Sequence, residues 1–433
     1  MTDQDSIRRD VLLEEENKRL RLAVEELSVL IDIATAIAST QSLDELANLI
    51  IQKCVKHLKV EQGAVMLLDE QDQKNPFHTM VRKQDSDLKV LPFRFDAQLA
   101  GWMIKNKTPL LINDFIRDQR FRDVASAGMS LRSLLSVPLL LKGRLIGLIS
   151  VFNKKTDPGF SLDDQRLLAI IASQSAQVIE NARLYQEEQA LFRLQEEMRL
   201  ARDIQMNLLP TSSPGIAGYD IAGKTIPAKE VGGDYFDYIP LNDHRLAFCL
   251  GDVSGKGMPA ALLMANLQAT LRGQAAREIS CKNCIDRSNR LLFHGTDSTK
   301  FATLFYGILN AEQHELCYSN AGHDFPLLFS TAKTPLRLKT GGVVLGFVED
   351  FPYSEAKIKL NQGDLLVLYS DGITEAMNDQ EEEFGEQRLA QTIHKYIAEP
   401  AESIIDHILG NVRKHSATIP QLDDMTLLVI KRL

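Results

Sequence analysis

"VGGDYFDYIP", residues 231–240, sets two glycines ahead of Asp234 and follows that acid with aromatic, strand-favouring residues. It reads as a tight turn that delivers a carboxylate to the start of a strand, because glycine opens backbone conformations that other residues avoid. Further along, "LGDVSGKGMPAAL" (250–262) repeats the device: the strand "RLAFCLG" runs into Asp252 and then into a glycine-rich turn. Asp371 ends the strand "DLLVLYS" and precedes Gly372, while Asp423 and Asp424 open the last strand, "MTLLVIKRL". These acids fall at strand ends or tight turns, where a sheet can bring them together.

Gathered carboxylates repel one another and raise their own pKa values, and they stay ionised most readily around a cation. Oxygen-only ligation suits Mg²⁺ or Mn²⁺, whereas the Cys or His ligands of zinc are absent from these corners. The glycines let backbone carbonyls approach such an ion. Two ions about 3.5–4 Å apart can activate a water and orient a phosphoryl group for in-line attack. A single strand-end Asp is more often a turn former or helix cap, but a set of them at strand–glycine corners is harder to explain that way. A phosphate-binding P-loop is excluded by spacing: "GDVSGKG" lacks Ser or Thr after Lys256 and a glycine five residues before Gly255.

The chain has 433 residues, 44% of them hydrophobic and 25% charged, ordinary values for a globular protein of two to four domains. A net charge of -9 argues against a general nucleic-acid or membrane-surface binder. The most apolar stretch, "LLSVPLLLKGRLIGLISVF", is interrupted by Pro138, Lys142 and Arg144, and the N-terminus is acidic without an apolar signal core. A cytoplasmic protein is expected, and the five cysteines suit a reducing compartment. Cys281 and Cys284 form a C-x-x-C with no second pair at zinc-site spacing, and read as one exposed and one buried helical cysteine.

Residues 8–38 read as one long helix. Leu13, Leu20 and Leu27 recur at seven-residue spacing with Val24, Ile31 and Asn17 on the intervening seam, a pattern that predicts a coiled coil between two copies of the chain. From about 42 the pattern mixes helix and strand: a helix capped by Ser42 with Glu45 completing a capping box, the strand "QGAVMLLDE", a hairpin around "KGR", and a helix capped by Ser161. No Gly or Pro occurs between Ser161 and Leu209, so that helix is expected to run on as a connector, with Glu187 and Gln205 as polar interruptions of its apolar seam. Strands dominate from Gly215 onward, interrupted by helical blocks at about 258–293 and 384–414.

The region 25–184 resembles a GAF domain, a small-molecule sensor module, through "LAGWMIKNKTPLLINDFIRDQRF", "SVPLLLKGRLIGLISVFNK" and "FSLDDQRLLAIIASQSAQVIENARLY". Cyclic-nucleotide GAF domains often carry N-K followed by F-x-x-x-D-E. Here Asn153, Lys154, Phe160 and Asp164 match and Gln165 replaces the last acid; GAF domains bind varied ligands or none, so the resemblance leaves open both the ligand and whether there is one. The last 220 or so residues resemble the SpoIIE/RsbU-type branch of the PPM family of metal-dependent serine/threonine protein phosphatases. The motifs "EVGGDYFD", "LGDVSGKGMPAALLM", "NAGHDFPLL", "TGGVVLG", "LVLYSDGITEAMN" and "LDDMTLLVI" occur in the family's order, preceded by "ARDIQMNLLP", the regulatory switch helix of this branch.

The resemblance implies an α+β chain: an N-terminal helix over 1–41, a GAF sensor over 42–183, a signalling helix over 184–212 and a PPM-type αββα sandwich over 213–433. It implies that Asp252 bridges two Mn²⁺ or Mg²⁺ ions, that Asp234 and the Val253 carbonyl serve one of them, and that Asp371 and Asp423 hold the other. Catalysis would pass through metal-bound water. Asp424, Gly233 and Gly372 would support the ligands, Lys229 and Lys256 are candidates for binding phosphate, and His323 would serve the substrate or hold its loop. The implied substrate is a phosphorylated STAS-domain anti-sigma-factor antagonist in a bacterial partner-switching pathway, acted on by a homodimer. Competing readings are an inactive phosphoprotein-binding module and a dimeric scaffold.

Overall fold

The computed structural model describes residues 12–14, 16, 17, 20, 23, 24, 27, 28, 31, 42–68, 77–84, 97–115, 117, 118, 120, 131–277, 280–297, 299–330 and 334–433, with the backbone alone at 77–84 and 97–100. The chain divides into two units, Met1–Phe192 and Arg193–Leu433. Most of the helix expected over 8–38 lies outside the described residues. Those described within it are helical, and Leu13, Leu20, Val24, Leu27 and Ile31 are exposed.

In the first unit, α1 (Leu43–Leu58) leads into β1 (Val60–Leu68), β2 (Phe77–Gln84), α2 (Ala97–Asn106), β3 (Leu110–Ile112), β4 (Leu134–Leu141) and β5 (Arg144–Lys154), and then into α3 (Leu162–Met206). The strands form an antiparallel sheet in the order β2-β1-β5-β4-β3. Ile50, Ile51 and Cys54 of α1 pack with Ile171, Ala172 and Ile179 of α3 and with Val137, Ile149 and Val151 of the sheet. Met103, Leu134, Leu148 and Phe152 form a separate apolar cluster with the opposite set of strand residues. Central strands buried on both faces explain why the β4–β5 sequence is apolar almost without alternation.

The hairpin turns at Lys142 and Gly143, both at positive φ (48° and 82°), a two-residue turn whose twist matches its strands. Ser161 caps α3 reciprocally with Asp164: the Ser161 hydroxyl accepts from the Asp164 amide at 3.2 Å, and Asp164 accepts from the Ser161 amide at 2.8 Å. Ser42 occupies the cap position of α1, but its side chain makes no capping bond, contrary to the expected box. The residues of the cyclic-nucleotide near-match are engaged within the domain. Lys154 pairs with Asp164 at 2.7 Å, and Asn153 accepts from the Arg132 amide and donates to Glu61.

In the second unit, β6 (Tyr219–Ile226), β7 (Tyr235–Asn242) and β8 (Arg245–Val253) precede the helices α4 (Met258–Ala275) and α5 (Cys281–Gly295). Then follow β9 (Ala302–Asn310), β10 (Glu315–Ala321), β11 (Leu327–Phe329), β12 (Leu336–Arg337), β13 (Gly341–Gly342), β14 (Ala356–Lys359) and β15 (Leu365–Tyr369). The chain closes with α6 (Asp371–Thr374), α7 (Gly385–Tyr396), α8 (Ala401–Ser416) and β16 (Met425–Arg432). Each of the two helical blocks expected from sequence is thus a pair of helices.

One sheet runs β13-β10-β9-β8-β7, with β14 also on β10; the other runs β12-β11-β15-β16-β6. Strand alternation sorts the second sheet's side chains. Leu366, Leu368, Leu428 and Ile430 join the core of the first sheet, while Leu365, Val367, Leu427 and Val429 pack with Ile393, Ile404 and Ile408 of α7 and α8. Gly223 is where the sheets approach closely, since a Cβ there would lie 2.6 Å from the Phe236 ring. With α4 and α5 against the first sheet, the layers are helix, sheet, sheet, helix. Among the described residues, no helix is long and apolar enough to cross a membrane.

Candidate metal centre

The antiparallel pairings place four strand ends at one end of the sandwich. Tyr235 pairs with Gly251, so the start of β7 meets the end of β8; Tyr369 pairs with Leu427, so the end of β15 meets the start of β16. Asp234, Asp252, Asp371 and Asp423–Asp424 occupy those ends, two from each sheet.

Backbone contacts tie them together. Asp424 is buried and accepts from the amides of Ala228 (2.8 Å) and Gly233 (2.6 Å), which fixes the Gly-Gly-Asp turn. Asp234 is buried and accepts from the Thr426 hydroxyl at 2.5 Å. The turn needs its glycines: a Cβ on Gly232 would lie 2.2 Å from an Asp424 oxygen, and one on Gly233 would lie 2.9 Å from Asp252 Oδ1 and 3.1 Å from the Val253 carbonyl oxygen. Gly372 is equally confined, since its Cβ would lie 2.1 Å from the Asp424 carbonyl oxygen. The Val253 carbonyl and the Asp252 carboxylate therefore reach the same place, against Gly233.

Burial and mutual repulsion dominate the electrostatics of these carboxylates. Burial, then the charges of Asp371 and Asp423, pushes the Asp252 carboxyl up to about 7. Burial and the neighbouring Asp252 raise Asp234 well above the usual carboxylate range, and burial with Asp423 raises Asp371. A divalent ion offsets this repulsion with oxygen ligands it prefers, so the residues present fit such a group.

Lys256 stands beside the cluster, 2.7 Å from Asp423 and 3.0 Å from the Leu422 carbonyl oxygen. It lines a cleft of about 240 Å³ together with Gly372, Glu375, Met377, Gln421 and Asp423. Lys229 is exposed on the loop between β6 and β7. His323 is buried, 2.9 Å from the Thr303 hydroxyl, which itself lies 3.2 Å from the Asp252 amide. Burial lowers His323 to about 4, so the imidazole is neutral near pH 7 and supports the Asp252 backbone through Thr303.

Four features escape a reading of the sequence. Glu375 lies one helical turn beyond Asp371, a spacing that could have disclosed it, and burial with Asp371 raises its pKa. Asp324, next to His323, keeps solvent contact, yet partial burial and Asp371 push it up to about 6. Asp237 does not join Asp234 despite sharing its stretch. It is buried against α4, receives two hydrogen bonds from Arg272 (2.7 and 3.0 Å) and one from Tyr235, and so locks helix to sheet. Gln205, expected as a polar gap in an apolar seam, is instead buried. Its amide donates to the Gly232 carbonyl at 2.7 Å and accepts from the Gly232 amide at 3.0 Å.

Comparison with known proteins adds identity to this geometry. The family model described as Stage II sporulation protein E (SpoIIE) matches residues 242–433, and a GAF-domain model matches residues 40–180. The phosphoserine phosphatase RsbU of Bacillus subtilis (strain 168) is 31% identical over 254 residues, covering 57% of this chain and 75% of that protein. Protein IcfG of Synechocystis sp. is 30% identical over 264 residues, covering 54% of this chain and 41% of that protein. Among solved structures, the SiaA-PP2C domain of Pseudomonas aeruginosa is 20% identical with a TM-score of 0.49, covering 56% of this chain and 98% of that one. The RsbU and RsbW domains of Rv1364c from Mycobacterium tuberculosis give 29% identity and a TM-score of 0.45, covering 51% of this chain and 62% of that one. The chain belongs to the RsbU-like, SpoIIE-type branch of the PPM protein serine/threonine phosphatases, a metal-dependent family, and carries a GAF domain ahead of its phosphatase domain.

Proposed function

We propose that Asp234, Asp252, Asp371, Asp423 and the Val253 carbonyl hold two Mg²⁺ or Mn²⁺ ions, and that the enzyme removes phosphate from a phosphoserine or phosphothreonine of a protein. The observation that carries this is the convergence of four acidic strand ends, two from each sheet, around the Gly233 turn. The ions would supply charge neutralisation and an activated water to the phosphoryl group. The chain's residues do the rest. Asp424 positions the Gly233 turn through its amides, Thr426 orients the Asp234 carboxylate, and Thr303 with His323 steadies Asp252. Lys256 places a positive charge at the mouth of the cleft, where a phosphate would enter.

The substrate we assign is a phosphorylated STAS-domain anti-sigma-factor antagonist, in keeping with a similar protein named phosphoserine phosphatase RsbU. The exposed heptad residues Leu13, Leu20, Val24 and Leu27 support a homodimer. The Gln205–Gly232 pair supports control of the metal site by α3, and the GAF domain would take a small-molecule ligand that biases that helix. The test is hydrolysis of a phosphoserine peptide by the full chain with and without Mn²⁺. Manganese-dependent phosphate release is expected, and binding of the peptide without release would overturn the assignment.

A further inference from the structure

The C-x-x-C of α5 finds a partner that lies far away in sequence. Cys281 is fully buried at the first turn of the helix, and its thiol lies 3.2 Å from the Cys317 carbonyl oxygen of β10. Cys284, one turn on, goes into the core, so both cysteines are buried where one was expected to be exposed. The third member is Glu355, just before β14, which pairs with β10. Ser280, the cap of α5, donates to Glu355 Oε2 at 2.8 Å, and the Lys282 amide donates to the same oxygen at 2.9 Å. One ligand atom from each of Cys281, Cys317 and Glu355 lies within 4.8 Å of the other two. Tetrahedral zinc sets its ligand atoms about 3.5–4 Å apart, from bonds of about 2.3 Å to sulfur and 2.0–2.2 Å to oxygen.

A pocket of about 260 Å³, lined in part by Cys317, Glu355, Ser280 and Lys357, opens onto the cluster and gives an ion a way in. Lys357 at its rim is paired with Glu315 at 3.1 Å. A hydrogen bond from the Cys281 thiol holds the Cys317 thiol below its usual pKa, while burial and that same contact raise Cys281 well above its own, so Cys317 is the first of the two to give up its proton. Two sulfurs and a carboxylate whose orientation is already fixed by hydrogen bonds are what a structural or open-coordinate zinc site requires.

We propose that Cys281, Cys317 and Glu355 bind a thiophilic divalent cation of the Zn²⁺ class, with the fourth position open to the pocket. Binding releases the two thiol protons to solvent, and the ion ties the start of α5 to β10 and to the segment entering β14. Oxygen-preferring Mg²⁺ and Mn²⁺ are left to the acid cluster. The site stands apart from hydrolysis and acts on the stability of the domain.

The experiment uses the full chain, reduced and stripped of metal with a chelator, then titrated with Co²⁺. With excess Mg²⁺ present to keep the acid cluster filled, a thiolate-to-cobalt charge-transfer band saturating at one equivalent is expected, as is its loss on adding Zn²⁺. Oxygen ligands give no such band, so the acid cluster stays silent. Cys317→Ser should abolish the band and keep Mn²⁺-dependent phosphatase activity, while Cys284→Ser and Asp252→Asn should retain the band. Glu355→Gln, which spares both sulfurs, should weaken Co²⁺ binding about tenfold or more. No band in the parent, an undiminished band in Cys317→Ser, or unchanged affinity in Glu355→Gln would overturn the proposal.

Discussion

Replacing Gln205 by Leu removes both hydrogen bonds that join α3 to the Gly-Gly-Asp turn, at 2.7 and 3.0 Å, without removing bulk. Gly232 is buried, so its amide and carbonyl are left without partners. Each such orphaned group costs about 1–3 kcal/mol. The turn can recover part of this only by moving, and Gly233 lies against Asp252 and Val253, so movement would disturb the proposed metal site. If about 1–3 kcal/mol of the loss appears as coupling to metal, the Mn²⁺ concentration for half-maximal activity rises about 5- to 150-fold. The assay is a Mn²⁺ titration of p-nitrophenyl phosphate hydrolysis by the full chain. Arg199→Ala serves as the control, since Arg199 is exposed and, among the described residues, pairs along its own helix with Glu196 and Asp203. Superimposable curves for Gln205→Leu and the parent would refute the reasoning and leave α3 as a passive tether.

Gly233→Ala sets a methyl within 2.9 Å of Asp252 Oδ1 and 3.1 Å of the Val253 carbonyl oxygen, so metal affinity measured by calorimetry should fall at least tenfold, and the crowded turn should cost about 1–3 kcal/mol of stability as well. Arg272→Ala leaves the fully buried Asp237 without its counter-charge; because Arg272 is half-exposed, the loss should sit near or below the low end of the ~3–5 kcal/mol range for broken buried pairs, read by denaturant unfolding, with the Mn²⁺ midpoint unchanged. In metal-free protein, Asp252, at about 7, keeps protons that the unfolded chain has released above about pH 4, so stability falls as pH rises through that window. His323, lowered to about 4, works the other way below about pH 6.5, but Asp324, raised to about 6, adds to Asp252, so melting at pH 5.5 and 7.5 should show the lower Tm at 7.5, with a difference that shrinks in excess Mg²⁺, which binds the ionised form; a metal-free Tm that rises with pH would contradict this.

The strand–glycine corners were legible because a carboxylate at a strand end and a glycine beside it leave a local signature. The β4–β5 hairpin and the Ser161 cap were legible for the same reason, each being settled within a few residues. What stayed hidden was pairing across distance. Nothing near Asp237 announces Arg272, 35 residues on, and so Asp234 and its neighbour in the same stretch go to opposite layers. Gln205 looks like a seam defect because its partner is a backbone peptide, which has no sequence signal. The spacing of cysteines along the chain offers Cys281 no zinc partner, whereas the fold brings Cys317 of β10 and Glu355, just before β14, to it from the side. The absent box at Ser42 shows that a cap motif specifies a position more firmly than it specifies a bond.

The central claim is that the acid cluster drives metal-dependent removal of phosphate from protein serine or threonine. It is tested most directly by comparing the parent and Asp252→Asn for phosphoserine-peptide hydrolysis at saturating Mn²⁺, with Tm measured alongside. The parent should be active only with the metal, and the variant should lose a factor of ~10²–10⁴ with its fold intact. Near-parent, metal-dependent turnover by a folded Asp252→Asn enzyme would contradict the account.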